Sequence, residues 1–170
     1  MSFSVALGQY QIGDTISTEH QEMEFNYCYP SDLSESSFSF STHPNQVFMI
    51  QMSATWCAPC LNAIPEGEAI YQHWEGDDRV EIIHFLADLN QPYNCTQWGN
   101  IGTLGIPPIA LITSTDNNSI RTWFPEDPAS GAIYPTIIFI NHNMQIINIE
   151  YGALTFDDTN LYINCMLDAR

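Results

Sequence analysis

The chain contains no lysine. Its fixed cations are three arginines, set against twenty aspartates and glutamates, and the formal charge is −17. So negative a surface argues against binding nucleic acid or anionic membranes, which attract clustered Lys and Arg. It describes a soluble, self-repelling protein. No apolar run approaches the ~18 residues that a membrane-spanning helix requires. The start shows no basic segment leading into an apolar one, the pattern of a secretory leader. The protein is therefore either cytoplasmic or exported by a leader that lies outside this sequence. A second Cys-x-x-Cys and any His-x-x-x-His are also missing. A zinc site of the knuckle type would lack half its ligands, so no metal and no cofactor is expected.

What is present is enough for one domain with a real core: 170 residues, 45% of them hydrophobic. The stretch Ala54-Thr55-Trp56-Cys57-Ala58-Pro59-Cys60 organises the rest. The apolar run Val47 to Met52 before it reads as a buried strand. Leu61 to Trp74 after it is long enough for a helix, with Ile64, Ala69, Ile70 and Trp74 as core candidates. Cys57 then sits at a helix N-terminus, where free N–H groups and the dipole stabilise a thiolate. One turn of helix brings Cys60 beside it, so that one sulfur attacks and the other resolves. A purely structural bridge is the plainer alternative, but so tight a loop constrains the unfolded chain little.

Further along, Val80 to Ala87 reads as a second parallel strand, entered through Gly76-Asp77-Asp78, which makes a βαβ unit. Phe25 to Phe40, turning at Pro30-Ser31-Asp32, reads as a hairpin. Thr96 to Leu104 suits a short helix. Ile109–Thr113 and Ser119–Phe124 flank Asp116-Asn117-Asn118 as a second hairpin. Phe156 to Leu167 is an amphipathic helix capped by Thr155 or Asp157, with Leu161, Ile163, Met166 and Leu167 toward the sheet. Residues 1–24 form a polar, solvated arm in which His20 and its neighbouring glutamates are ordinary surface groups. His84 reads as a satisfied core residue, and Glu66 and Glu68 as surface charges.

Trp56-Cys57-Ala58-Pro59-Cys60 after an apolar strand resembles the active site of the thioredoxin superfamily. Pro65 falls where that family kinks its active-site helix. Tyr134-Pro135-Thr136, followed by Ile137 to Ile140, resembles the family's cis-proline strand, and Gly152-Ala153-Leu154-Thr155 its turn into the last helix. Gly105-Ile106-Pro107-Pro108 offers a competing cis-proline approach, but only Pro135 is followed by two strands and a glycine. The resemblance covers residues 25–170. It implies an α/β fold with a central mixed sheet flanked by helices, an N-terminal hairpin extension, and an insertion at about 90–131 before the cis-proline strand, as in redoxin or TlpA-like relatives.

By the same resemblance, Cys57 and Cys60 are the catalytic dithiol of a thiol–disulfide oxidoreductase. Trp56, Tyr134, Pro135 and Thr136 would bind substrate, with Ala58, Pro59 and Pro65 in support. The partners implied are disulfide-containing proteins and an electron-donor protein, with a monomer acting alone. The TlpA-like branch favours the periplasm or cell surface. Two departures stand out: Gln51 and Ala63 occupy positions where relatives carry carboxylates that move protons. Ala58-Pro59 brings no charge beside Cys57, which argues for a reductant. The alternative function is a thioredoxin-fold interaction module with a structural or vestigial Cys-x-x-Cys. Of the remaining cysteines, Cys165 reads as a buried packing residue. Cys28 and Cys95 either pair in an oxidising compartment, or pack, or supply a third redox thiol at Cys95.

Overall fold

The computed structural model describes residues 9–169; the part of the expected arm before residue 9 lies outside them. In chain order the elements are α1 (Thr18–Gln21), β1 (Phe25–Tyr29), β2 (Ser37–Phe38), β3 (Val47–Ala54), α2 (Ala58–Asn62), α3 (Ile64–Trp74), β4 (Val80–Ala87), α4 (Cys95–Gly99), β5 (Ile109–Leu111), β6 (Thr136–Ile140), β7 (Ile146–Tyr151) and α5 (Phe156–Asp168), with 3-10 turns at Phe40–Thr42 and Ile120–Trp123.

The strands form one sheet in the order β2-β1-β5-β4-β3-β6-β7. β3, β4 and β5 run parallel, and the outer strands pair antiparallel. β3 carries no charge and is buried along its whole length, as a strand covered on both faces must be. Its register with β4, Val47 opposite Val80 through Ala54 opposite Ala87, brings the two C-terminal ends level beneath the Cys-x-x-Cys turn.

Alternation along the strands makes two apolar layers. Val47, Met49, Ile82, Ile137 and Phe139 pack against Ile70 and Trp74 of α3 and Ile163 and Met166 of α5. The Trp74 Nε1–H donates to Asn160 Oδ1 at 2.7 Å and ties the two helices together. On the other face, Phe48, Ile50, Met52, Ile83 and Phe85 meet aromatic rings from the N-terminal hairpin and the insertion. Phe25 meets Phe85 edge-on at 5.0 Å, and Phe40 meets Phe48 likewise at 5.1 Å, the arrangement that ring quadrupoles favour.

Four sequence expectations change here. The arm is mostly exposed, as expected, but four of its side chains are buried. Tyr10, Ile16 and Met23 belong to the core, and His20 stacks on Trp123 at 4.1 Å with its Nδ1 2.8 Å from the Tyr10 hydroxyl. The insertion leaves an aromatic face at Trp123 and Phe124, and the arm covers it. The second expected hairpin closes its turn with an antiparallel bridge between Thr113 and Ser119 but forms no second strand. β5 already pairs on both edges, with β4 and β1, so Ile120–Trp123 closes as a 3-10 turn. In α5 the buried line is Thr159, Ile163 and Met166. Leu161 and Cys165 lie one turn apart on the opposite face, and both are exposed. Glu68, expected at the surface, is buried; its role appears below.

Candidate active site

β3 ends at Ala54, and four residues later the chain is helical. Cys57 is the N-cap of α2, with extended backbone at φ −80 and ψ 102. Its Sγ is bonded to that of Cys60 at 2.03 Å, with Cα atoms 5.2 Å apart. The Cys60 N–H donates to Cys57 Sγ at 3.2 Å, so one of the unpaired donors of the helix start is aimed at the first sulfur. Pro59 stands in the first turn, where a missing N–H leaves nothing unsatisfied. The expected single helix is in fact two: Ala63 is both the C-cap of α2 and the N-cap of α3, and Pro65 follows in the first turn of α3. Pro65 has no N–H to continue the ladder, so the axis breaks there.

Cys60 is fully enclosed, and Cys57 keeps only 2% of its surface. They pack in one apolar cluster with Ala54, Ile64, Leu86, Trp98, Ile106 and Ile109. Trp56 stands outside this cluster, 51% exposed. Its Nε1–H donates to Asp88 Oδ2 at 2.7 Å, and its ring meets Tyr134 edge-on at 6.0 Å. Tyr134 is half-buried against the cysteine cluster. Burial, and then the Asp88 charge, push its phenol up to about 12, so it is a neutral donor at any physiological pH. The Tyr134–Pro135 peptide is cis. Pro135 is buried, and its carbonyl accepts from Gly152 N–H at 3.0 Å. Thr136 is fully buried in β6, and its hydroxyl donates to the Ile133 carbonyl at 2.9 Å.

Beneath α2 and α3, the β3–β4 register sets Gln51 beside His84. Both side chains are buried, and Gln51 lies against Gly67. His84 is not the satisfied core histidine expected: its Nε2 is buried without a hydrogen-bond partner. Burial holds its imidazole down at about 4, hence neutral. Glu68, in α3, reaches the loop after α4. Its two carboxylate oxygens accept from Thr103 N–H at 3.0 Å and Gly105 N–H at 3.1 Å. A Cβ on Gly102 would stand 2.0 Å from that carboxylate. The glycine spacing at 102 and 105 was the one sequence signal for this clamp.

Cys28 in β1 and Cys95 at the start of α4 form a second disulfide, with Cα atoms 6.0 Å apart. The pairing alternative for these two thiols therefore holds. Among the described residues no group of three or more His, Cys, Asp or Glu side chains is placed to hold a metal, and no helix is long and apolar enough to cross a membrane.

No family model matches the chain, and no curated protein matches it in sequence. Solved structures do. A secreted thiol-disulfide isomerase from Corynebacterium glutamicum superposes with a TM-score of 0.66 at 14% identity, over 94% of this chain and 97% of that one. A thioredoxin-family thiol:disulfide interchange protein from Chlorobium tepidum gives 0.61 at 18% identity, over 85% and 96%. The exposed lipoprotein thioredoxin of Streptococcus pneumoniae gives 0.56 at 17% identity, over 83% and 96%. At such identities the likeness speaks for the fold, and it spans nearly the whole of each neighbour. The chain therefore has the thioredoxin-like fold of these interchange proteins, with a Cys57–Cys60 disulfide at the N-terminus of its first sheet-to-helix crossing.

Proposed function

We propose that this protein is a thiol–disulfide oxidoreductase that reduces or exchanges the disulfides of protein substrates through Cys57 and Cys60. The observation that carries the reading is the helix-capped disulfide itself. Cys57 Sγ accepts the Cys60 N–H at 3.2 Å, a donor that would stabilise the same sulfur as a thiolate.

In the reductive direction the Cys57 thiolate attacks one sulfur of a substrate disulfide. A mixed disulfide forms, and the other substrate sulfur leaves with the electron pair. The Cys60 thiolate then attacks Cys57 Sγ, the substrate's remaining sulfur leaves, and the Cys57–Cys60 bond closes. An electron-donor protein with its own dithiol restores the pair. Cys57 is almost closed, so a substrate would enter beside the half-exposed Trp56 indole. The indole is held by one hydrogen bond to Asp88 and one ring contact with Tyr134. An extended substrate chain would lie along Tyr134 and Pro135 by strand addition. Ala58-Pro59 and the net charge of −17 supply no cation to stabilise the thiolate, which favours reduction over oxidation of substrates.

The Cys28–Cys95 bridge supports an oxidising compartment, the periplasm or cell surface, where such bonds persist. Tyr10, Ile16 and Met23 anchor the N-terminal segment on the core, so the described chain acts as one thioredoxin-like domain.

Reduction of insulin disulfides by dithiothreitol tests the reading. The protein should accelerate precipitation of the insulin B chain well above the Cys57→Ser variant. Equal rates for the two would leave the second reading, an interaction module with a structural bridge. The 2% exposure of Cys57 is the observation in favour of that second reading.

A further inference from the structure

The fixed cations of this chain are Arg79, Arg121 and Arg170. Arg170 lies outside the described residues. Arg79 is engaged by Asp77, whose two carboxylate oxygens accept from its Nε at 2.9 Å and its Nη2 at 2.6 Å. Arg121 differs: among the described residues no carboxylate forms an ion pair with it. The 3-10 turn Ile120–Trp123 fixes its base, because Ile120 and Trp123 on either side are buried in the core. Its Nη1 donates to the Phe124 carbonyl at 2.6 Å, and the Gln9 side-chain amide donates to the same carbonyl at 3.0 Å. Its Nε is enclosed without a partner. A guanidinium has five N–H donors in a planar fork, so donors remain for a ligand at the Nη end.

Arg121 lines an open pocket of about 190 Å³ with Gln9, Thr122, Glu126 and Ile133. Ile133 immediately precedes Tyr134 and its cis peptide to Pro135, so the pocket adjoins the turn on which a substrate would lie. The Tyr134 ring in turn meets that of Trp56, the neighbour of Cys57. The charge of Arg121 reaches this turn. Burial raises the phenols of Tyr134 and of Tyr151, which stands opposite Thr136 in the β6–β7 register, and Arg121 opposes that rise in both.

We propose that this pocket binds a carboxylate of the substrate chain and that Arg121 selects it. The proposal rests on the redox reading above and names its substrate class: proteins whose reducible cysteine has a carboxylate, from an acidic side chain or a chain end, about two residues away. A substrate strand laid along Tyr134 and Pro135 passes Ile133 two residues from the cis proline, about 7 Å along the strand. The guanidinium takes the carboxylate through paired N–H···O bonds. Glu126, exposed on the same pocket wall, repels it and limits the preference. The field of the −17 chain opposes any acidic protein, but it is screened beyond about 8 Å at physiological salt, whereas a contact pair in a pocket persists. Selection is therefore by the local placement of the acid and not by the net charge of the substrate.

Disulfide-linked peptides of one composition test this, because net charge then cancels. In one pair a single glutamate lies two residues from the cysteine or at the far end, with the C-terminus amidated. In a second pair a free C-terminus lies two residues from the cysteine or at the far end. At 0.15 M salt the near arrangement should be reduced with about fivefold higher kcat/KM in at least one pair, the difference lying in KM. The pair that shows it identifies the source of the carboxylate. Arg121→Gln should bring the near-to-far ratio to about one, and Arg121→Lys should restore part of it, since the charge returns without the fork. Glu126→Gln should raise the ratio. A wild-type ratio of one in both pairs overturns the proposal, as does a ratio that survives Arg121→Gln. If the Arg121 variants do not fold, Glu126→Gln decides: an unchanged ratio there overturns the pocket as the seat of selection. Failure of the redox reading would look different, and would overturn both: no peptide, near or far, would be reduced faster than by the Cys57→Ser variant.

Discussion

Two disulfides share one apolar cluster and differ in almost every other respect. Cys57–Cys60 spans three positions of sequence, and Cys28–Cys95 spans 67. The first lies at a strand-to-helix turn, with a backbone N–H on one sulfur and an exposed indole beside it. The second joins β1 to α4, two elements that few other bonds connect. The Tyr29 hydroxyl donates to Asn100 at 3.3 Å, and the Tyr29 ring lies so close to Gly99 that a Cβ there would stand 2.6 Å from it. Loop entropy separates them further. Closing a loop as long as the second limits the unfolded chain by about 4 kcal/mol, whereas the first contributes about 2 kcal/mol. One bond is placed to exchange and the other to hold.

The strongest way to break this comparison is to remove each bond in turn. Cys57→Ser should abolish insulin reduction, a loss of at least about a hundredfold given that the attacking thiolate is gone, while the unfolding free energy falls by only about 2 kcal/mol. The Cys28→Ser, Cys95→Ser double variant should do the reverse. Its unfolding free energy should fall by about 4 kcal/mol, read from urea denaturation, while turnover of the folded fraction stays near wild type. Loss of turnover in the folded double variant would show that the staple takes part in the chemistry.

His84 sharpens the comparison from below. Its folded pKa, about 4, lies under the ordinary value near 6.5. Between those pH values the unfolded chain binds the proton and the folded chain does not, so stability falls as the pH drops through that window. The loss by pH 4 should be about 3 kcal/mol. Urea titrations at pH 7 and pH 4.5 should show it, and His84→Leu should remove that part of the slope. A weaker effect is expected at the clamp. Glu68→Ala leaves the Thr103 and Gly105 N–H groups without their acceptor, for a loss of about 2 kcal/mol. Gly102→Ala drives a methyl into the same carboxylate and should lose a similar amount.

These residues also mark what could be read from sequence. The Cys-x-x-Cys turn was legible because its chemistry is local: two sulfurs, a strand before and a helix after. The hairpin at β1–β2 and the cap at Thr155 were legible for the same reason. Glu68 was not, because a glutamate on a helix reads as solvated until a distant loop folds over it. His84 became unusual only once the register placed it against Gln51 and Trp98. Burial in the arm was missed because Tyr10, Ile16 and Met23 have no helical or strand period; Tyr10 buries against Trp123 and Phe124, more than a hundred positions away, and Ile16 and Met23 join the same cluster. In α5 the period and phase were right at Ile163, Met166 and Leu167, and the misses were Leu161 and Cys165, which face out, and Thr159, which faces in.

The smallest expected effect lies at the rim of the exchanging bond. Asp88 holds the Trp56 indole through its carboxylate, and its own backbone carbonyl accepts from the Thr55 hydroxyl. Its φ of 52 is a left-handed conformation, which asparagine tolerates better than most residues. Asp88→Asn therefore keeps the turn and an acceptor for the indole while removing the charge. Stability should change by less than about 1 kcal/mol, because the hydrogen bond survives and an exposed charge is screened. Two readouts should still move. The Tyr134 phenol, raised partly by this carboxylate, should ionise at lower pH in an ultraviolet titration. Alkylation of Cys57 in the reduced protein should quicken about two- to threefold near neutral pH, since a nearby negative charge no longer opposes the thiolate. The same substitution should leave the Cys28–Cys95 bond untouched, with no change in the dithiothreitol concentration that opens it. A shift at both bonds would mean that the two disulfides are coupled through the cluster they share.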